Sequence, residues 1–515
     1  MAREEVDNCP AQPHINIKQW YKYKNLRTLN ILLAVPLMTS FTLGFDSSMF
    51  GALQASDAWQ HYFNYPVGST LASLGAAPII AAFPAIVIIP FTSDRIGRRW
   101  SLFLGCMFVI LGGALQAASM NVVMYGFARA FIGFGSLWCQ TAGLAWVVEL
   151  AHYAIGSVVA AWIVFGTVNI GGNAAWRIPS GLQAVPAGLQ ALFCFMCPDS
   201  PRHLYSRGKH EEAKAVIVKY HSEGVEDELA IWEFEEIRVA LDAEASLTKG
   251  FWKPIKEAFE TKGNRKRMFF TAWLAICSQA SGNSFVSYYF SPVLRSIGIT
   301  SETIQTLINA TSQILSWLSA VGFAFLPGRV GRRPLFLVSL AWMFMVVIGI
   351  TAASATYQKD NDNKSASYAV VALVYLFSPA YNLGFNGNFG LYVSEINPFH
   401  IRMTALSVQQ LTTSCISLIF QYATSIGLEN IQWRYFIIHI PWIMLEFVVV
   451  YLFFPETKGY ALEEIAILFD GDNAALSGVN AKDLIRSESH KDEVKHIDTE
   501  HIEDPQLSQL NRSIV

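Results

Sequence analysis

The sequence predicts an all-α membrane protein of twelve transmembrane helices arranged as two six-helix halves. Of its 515 residues, 52% are hydrophobic and only 15% charged, which excludes a disordered chain and argues against an ordinary soluble domain. Windows close to twenty residues long recur with almost no charge, and that is the length an α-helix needs to cross about 30 Å of hydrocarbon. Lys and Arg gather on alternate connections between those windows, as the positive-inside rule requires.

The windows of the first half lie near 29–54, 69–91, 101–119, 122–148, 153–170 and 177–197. Those of the second lie near 268–293, 303–326, 334–356, 367–393, 403–427 and 434–454. The first follows a polar segment holding Lys18, Lys22, Lys24 and Arg27 and is longer than a signal-peptide core, so a cytosolic N-terminus without a cleaved leader is expected. Arg95, Arg98 and Arg99 fall between spans two and three, Arg329, Arg332 and Arg333 between eight and nine, and Arg402 between ten and eleven. These connections and both termini are assigned to the cytosol.

The chain divides into an N-terminal tail (1–28), a first half (29–197), a middle linker (198–267), a second half (268–454) and an acid-rich tail (455–515). The linker reads as short amphipathic helices such as "HEEAKAVIVKY" and "ELAIWEFEEIRVALDAE". Asn363-Lys364-Ser365 stands in an outer connection and is a candidate glycosylation acceptor. Cys194 and Cys197 end an apolar window with no second pair, so they read as packing residues.

The halves repeat. "SDRIGRR" at 93–99 matches "PGRVGRR" at 327–333, Glu149 matches Glu395, Trp176 matches Trp433, and Pro198 of "PDSP" matches Pro455 of "PETK". Parallel six-span repeats belong to transporters that hold a substrate between their halves near mid-membrane. The register between Glu149 and Trp176 is 11 residues shorter than between Glu395 and Trp433, about 16 Å of helix at 1.5 Å per residue. If twelve spans survive there, a tight turn near Ala151–Tyr153 is expected.

Asp46 lies within an apolar window, where a carboxylate is costly and marks a functional site by default; Arg129 is its natural partner. Asp94, Arg98, Arg99 and Glu149 in one half, and Arg332, Arg333, Glu395, Arg402 and Glu456 in the other, form a candidate inner-gate network. "CSQASGNSFVSYYF" in span seven offers Gln279, Ser281, Asn283, Tyr288 and Tyr289, and span ten adds Asn382, Asn386 and Asn388. Neutral amides, hydroxyls and aromatic faces suit a polyhydroxylated ligand, and Gly282 permits a bend. No nucleophile motif, phosphate-binding glycine loop or metal cluster stands in a fitting context, so no enzyme, nucleotide-driven pump, cofactor or metal is expected.

These motifs, with "GFDSSMFGALQ", "DRIGRR", "RAFIGFG", "WRIPSGLQ", "PDSPRHL", "GRRPLF", "SEINPFHIR" and "PETKGYALEEIAILFDG" in order over residues 29–471, resemble the sugar porters of the major facilitator superfamily. Within them the resemblance is to fungal lactose-permease-like and cellodextrin-permease-like members. It implies the major facilitator fold and a multi-pass plasma-membrane protein with both termini cytosolic. It implies alternating-access sugar transport with proton symport through Asp46 and Arg129. The partners are then a small sugar, a proton and the lipid bilayer, with no nucleic acid and a monomeric chain. Departures from the family pattern are Gly328 for the usual Asp, Ser278 for the first of two Gln, Ser284 at the binding Asn, Gly390 for an aromatic, and Ala154 where a binding Gln is usual. A transport-impaired sugar sensor and an exporter of a non-sugar metabolite are the alternatives these departures leave open.

Overall fold

The computed structural model describes residues 22–140, 146–222, 224–247, 252–287, 289–360, 362–460, 465 and 468–470. Residues 1–21 and 471–515, Tyr288 and, within the helices, the side chains of Asp94, Arg98 and Glu149 lie outside the described residues. In chain order the first half is α1 (Lys24–Leu53), α2 (Asp57–Tyr62), α3 (Gly68–Ile96), α4 (Arg98–Ala117), α5 (Val122–Gln140), α6 (Trp146–Thr167), α7 (Ala174–Leu182) and α8 (Ala184–Phe193). The connecting segment holds α9 (Pro201–Ser206), α10 (His210–His221), α11 (Glu228–Leu247) and α12 (Trp252–Glu260). The second half begins with α13 (Lys262–Ala280), α14 (Asn283–Ser287), α15 (Phe290–Ser296), α16 (Glu302–Phe323) and α17 (Pro327–Val330). It ends with α18 (Arg332–Lys359), α19 (Lys364–Tyr381), α20 (Asn388–Ile396), α21 (Phe399–Ile431) and α22 (Tyr435–Phe453).

Ten stretches among the described residues are long and apolar enough to cross a bilayer. One of them, Ile401–Phe453, holds two helices, α21 and α22. The interrupted α13–α14–α15 run supplies the remaining crossing, which makes twelve. The surface is inverted relative to a water-soluble bundle: Ile31, Phe127, Leu192, Met345 and Leu452 all stand exposed. Aromatic and aliphatic side chains also fill a separate core in each half.

One expectation is overturned. The tight turn near Ala151–Tyr153 is not there: α6 runs unbroken from Trp146 to Thr167, so Glu149 belongs to the first turns of the fifth crossing rather than to the end of the fourth. The sequence WVVELAHYAIGSVVAAWIVFGT has no Pro and only one mid-helix Gly, so nothing in it stops a helix once begun. That glycine has another use. A Cβ on Gly156 would collide with the Phe41 carbonyl of α1, and one on Gly44 would collide with the Tyr153 carbonyl of α6. The two backbones therefore cross in direct contact, a small-residue interface of the kind membrane helices use where no hydrophobic drive separates lipid from protein. Ser157 Oγ donates to the Gly44 carbonyl at 3.0 Å across the same crossing.

The halves meet along two seams, α3 against α21 and α6 against α16. Among the described residues, hydrogen bonds between the halves gather at the end opposite the Arg-rich connections. Ser425 Oγ donates to Gly68 O (2.8 Å), Ser73 and Tyr422 share a hydrogen bond (3.0 Å), and Arg295 Nη2 donates to Gln54 O (3.1 Å). That end is closed.

Candidate functional site

Asp46 on α1 and Arg129 on α5 come together inside the first half, Nη2 to Oδ2 at 3.3 Å, with Arg129 1% and Asp46 7% exposed. Gln183, at the joint between α7 and α8, donates from Nε2 to the other carboxylate oxygen at 3.3 Å. The guanidinium lies 3.9 Å from the ring centre of Phe50, and its Nε and Nη1 have no hydrogen-bond partner. A single long ion pair backed by a π face leaves donors of Arg129 uncommitted, so the pair is held in place but not locked. Gln183 ends the WRIPSGLQ stretch, where the signal it offers in the sequence is an amide in an apolar window.

At the Arg-rich end each half opens a long helix after a glycine in the positive-φ region, Gly97 (φ 94) before α4 and Gly331 (φ 111) before α18. In the second half a Cβ on Gly331 would lie 2.8 Å from Glu456 Oε2, so side-chain space as well as φ demands glycine. Glu456 accepts from the backbone N–H of Arg332 (2.9 Å) and Arg333 (3.0 Å), capping α18 with a negative charge where the helix dipole favours one. Arg332 grips Glu395 with two bonds, Nε to Oε2 at 3.0 Å and Nη2 to Oε1 at 2.5 Å, and Thr457 Oγ1 donates to the same carboxylate at 2.7 Å. Arg402 Nε donates to the Asn397 carbonyl at 3.4 Å, and Arg333 Nη2 to the Tyr451 carbonyl. In the first half Arg99 Nε lies 3.1 Å from Asp199 Oδ1, a residue not anticipated. The internal repeat held the signal, because Asp199 of "PDSP" stands where Glu456 stands in "PETK".

The ligand-type residues divide in two. Gln279, Asn283 and Asn386 are half-buried. Gln279 Nε2 donates to Ser278 Oγ at 3.3 Å, and Asn386 Nδ2 to Asn382 Oδ1 at 3.0 Å. Asn382 is itself anchored on Ser316 O and Ser319 Oγ (2.9 and 2.8 Å). Residues Asn382–Asn386 form a π-helical turn, a widening that recurs at functional sites. Tyr381 OH donates to the Ser278 carbonyl at 3.0 Å, which ties that turn to the end of α13, where Gly282 (φ 104) breaks span seven. Ser281 is buried, its Oγ without a hydrogen-bond partner. Tyr289 and Asn388 lie elsewhere. Tyr289 is fully buried in the aromatic core of the opposite half and donates from its OH to Gln421 O (2.8 Å) and Gln421 Oε1 (2.9 Å), so it contributes to the closed end. Asn388 Nδ2 donates to the Arg332 carbonyl at 3.0 Å, beside the Arg332–Glu395 pair. Asn363 caps α19 by accepting from Ala366 N at 3.1 Å.

Comparison with known proteins fits this arrangement. The sequence model of the family described as "Sugar (and other) transporter" matches residues 32–469. High-affinity glucose transporter 1 of Candida albicans is 24% identical over 542 aligned positions, covering 99% of this chain and 98% of its own length. The quinate permease of Emericella nidulans is 25% identical over 474, covering 85% and 88%. Such relatives support the family more broadly than the lactose-permease-like or cellodextrin-permease-like grouping. Among solved structures, the proton:xylose symporter XylE bound to 6-bromo-6-deoxy-D-glucose superposes with a TM-score of 0.67 at 18% identity, over 86% of this chain and 100% of that one. This likeness shows that the chain has the major facilitator fold. The match to the family model spans nearly all of the described helices, and the chain belongs to the Sugar (and other) transporter family.

Proposed function

We propose that this protein moves a sugar across the plasma membrane by alternating access, coupled to a proton carried at Asp46. The observation that carries the reading is the buried Asp46–Arg129–Gln183 cluster. When Asp46 is ionised it holds Arg129 across α1 and α5; a proton on the carboxylate cancels that attraction and frees the guanidinium, so the relation of the two helices depends on proton binding. Removing one partner of a buried pair leaves an uncompensated charge worth about 3–5 kcal/mol, enough to bias a two-state equilibrium strongly.

Gln279, Ser281, Asn283 and Asn386, with Tyr288, are assigned to the substrate. Tyr289 closes the outer end, and the Arg332–Glu395–Glu456 and Arg99–Asp199 contacts hold the cytosolic ends of the two halves. Asp94, Arg98, Glu149, Arg333, Arg402 and Asn388 belong to that inner region. The protein works as a monomer with both tails in the cytosol, and Asn363 is its glycosylation acceptor. Supporting this reading are the half-buried amides on spans seven and ten, which can trade their present bonds for hydroxyl groups.

The test is Asp46→Asn in the full chain, reconstituted in liposomes with labelled glucose, xylose and quinate as probes. Exchange of labelled for unlabelled substrate is expected to persist, whereas accumulation driven by a pH gradient is lost. Uphill accumulation equal to that of the unmodified protein would sink the coupling role.

A further inference from the structure

A second acidic side chain lies inside a crossing helix and outside every role given above. It is Glu446, in the middle of α22, whose sequence YFIIHIPWIMLEFVVVYLF is otherwise almost wholly apolar. Glu446 is 0% exposed and His439 2%. They stand seven residues apart, on the same buried face as Ile443 and Val450, turned into the core of the second half.

Both carboxyl oxygens of Glu446 lack a hydrogen-bond partner, as do both ring nitrogens of His439. The Trp442 indole, one turn earlier, is the polar group beside the carboxyl, and its Nε1 likewise has no hydrogen-bond partner. From α13 the titratable group facing Glu446 is the buried thiol of Cys277. On α18 the ionisable residues, Arg332, Arg333, Tyr357 and Lys359, stand at the two ends of the helix. On α21 Cys415 is exposed and Tyr422 is bonded to Ser73, while His400, Arg402 and Glu429 lie towards its ends. His439 is enclosed by the rings of Phe285, Phe420 and Tyr435, with centroids at 5.5, 6.0 and 5.0 Å.

Among the described residues no cation pairs with Glu446, so the apolar core accommodates it as the neutral acid. The neighbouring α13 is also placed to change that. Cys277 directly precedes Ser278 and Gln279 and lies five residues before Gly282, where span seven breaks, so a swing of α13 relative to α22 opens the side of the helix that Glu446 faces.

We propose that Glu446 is a second proton-binding site, located in the second half. It is loaded in this conformation and gives its proton to water when span seven moves. The step breaks and re-forms only the carboxyl O–H bond, water being the acceptor on release and the donor on reloading. The proposal rests on the alternating-access reading for the motion that exposes Glu446.

Its test requires no transport. The full-length protein in liposomes is treated with dicyclohexylcarbodiimide, which adds to protonated carboxyl groups in apolar surroundings, and the adduct is located by peptide mass spectrometry. An adduct is expected on Glu446 near about pH 6.5, absent in Glu446→Gln, and reduced about tenfold near about pH 9 as water draws the proton off. No adduct across that range, or one whose yield does not change with pH, overturns the proposal. Should Glu446→Gln fail to fold, Glu446→Asp and the unmodified chain still give the pH series. A protein that moves none of the labelled probes would defeat the transport reading while leaving this labelling result to decide Glu446 on its own.

Discussion

Asp227 shows at the residue scale how much one side chain can set. It immediately precedes α11 and accepts from Ser222 Oγ (2.5 Å) and from the backbone N–H of Ala230 (2.9 Å). Partial burial pushes its carboxyl up, but these hydrogen bonds together outweigh that and hold it below the ordinary carboxylate value. With the folded value depressed, the stabilisation is complete above the unfolded value near about 3.9 and is lost as the pH falls through the folded one. Asp227→Ala is expected to weaken the first turn of α11 by about 1 kcal/mol at neutral pH. Hydrogen exchange of the amides following Asp227 checks it; unchanged protection would refute the cap. Residues of this kind were partly legible in advance. Asp46 and Arg129 could be paired because each is a charge in an apolar window. Gln183 and Asp199 carry only weak signals, an amide in an apolar window and a repeat position shared with Glu456; which residue each one meets is set by the tertiary structure.

Elements depend on one another through surfaces the sequence only hints at. The crossing of α1 and α6 rests on two glycines whose missing Cβ atoms let each helix touch the other's carbonyl, Gly44 on Tyr153 and Gly156 on Phe41. Gly156→Val must push the helices apart and is expected to lower the unfolding temperature in detergent, at a cost of about 1–3 kcal/mol or more. Gly166→Val in the same helix, where a Cβ meets nothing within 4 Å, is the control. Equal thermal stability of the two variants would remove the close-contact argument. The same element shows where sequence reading failed. The repeat located a shortfall of 11 residues near Glu149, but the expected compensation was a turn at Ala151–Tyr153, whereas α6 is continuous there. Hydrophobic periodicity marks apolar length; it does not mark where one helix ends and the next begins when no Gly or Pro intervenes.

For the whole molecule the governing fact is that the halves touch firmly at one end. Tyr289 reaches from span seven into the opposite half's core, its hydroxyl bonded back to Gln421 of its own half, while Arg295 reaches across to the Gln54 carbonyl. Replacing the Tyr289 ring, which is buried among Phe50, Trp59 and other residues of the opposite half, by Ala removes apolar contact between the halves, at about 3 kcal/mol, and is expected to favour opening at that end by at least about tenfold. In a chain lacking Cys9 and Cys415, with Ser425→Cys placed at the buried seam, Tyr289→Ala should speed labelling by an impermeant maleimide to that degree; an unaltered rate would argue against the closure. The sequence by itself determined the number of crossings, the two-fold repeat, the family and the charged residues, Asp46 and Arg129, that lie within apolar windows, because bilayer thickness and the cost of buried charge act on composition and spacing alone. Tertiary structure decided which of those residues share a site. It set Tyr289 in the opposite half's core and Asn388 against the Arg332 carbonyl, gave Arg99 to Asp199, and buried Glu446 without an ion-pair partner. Each assignment depends on distances between helices far apart in the chain, which no local pattern encodes.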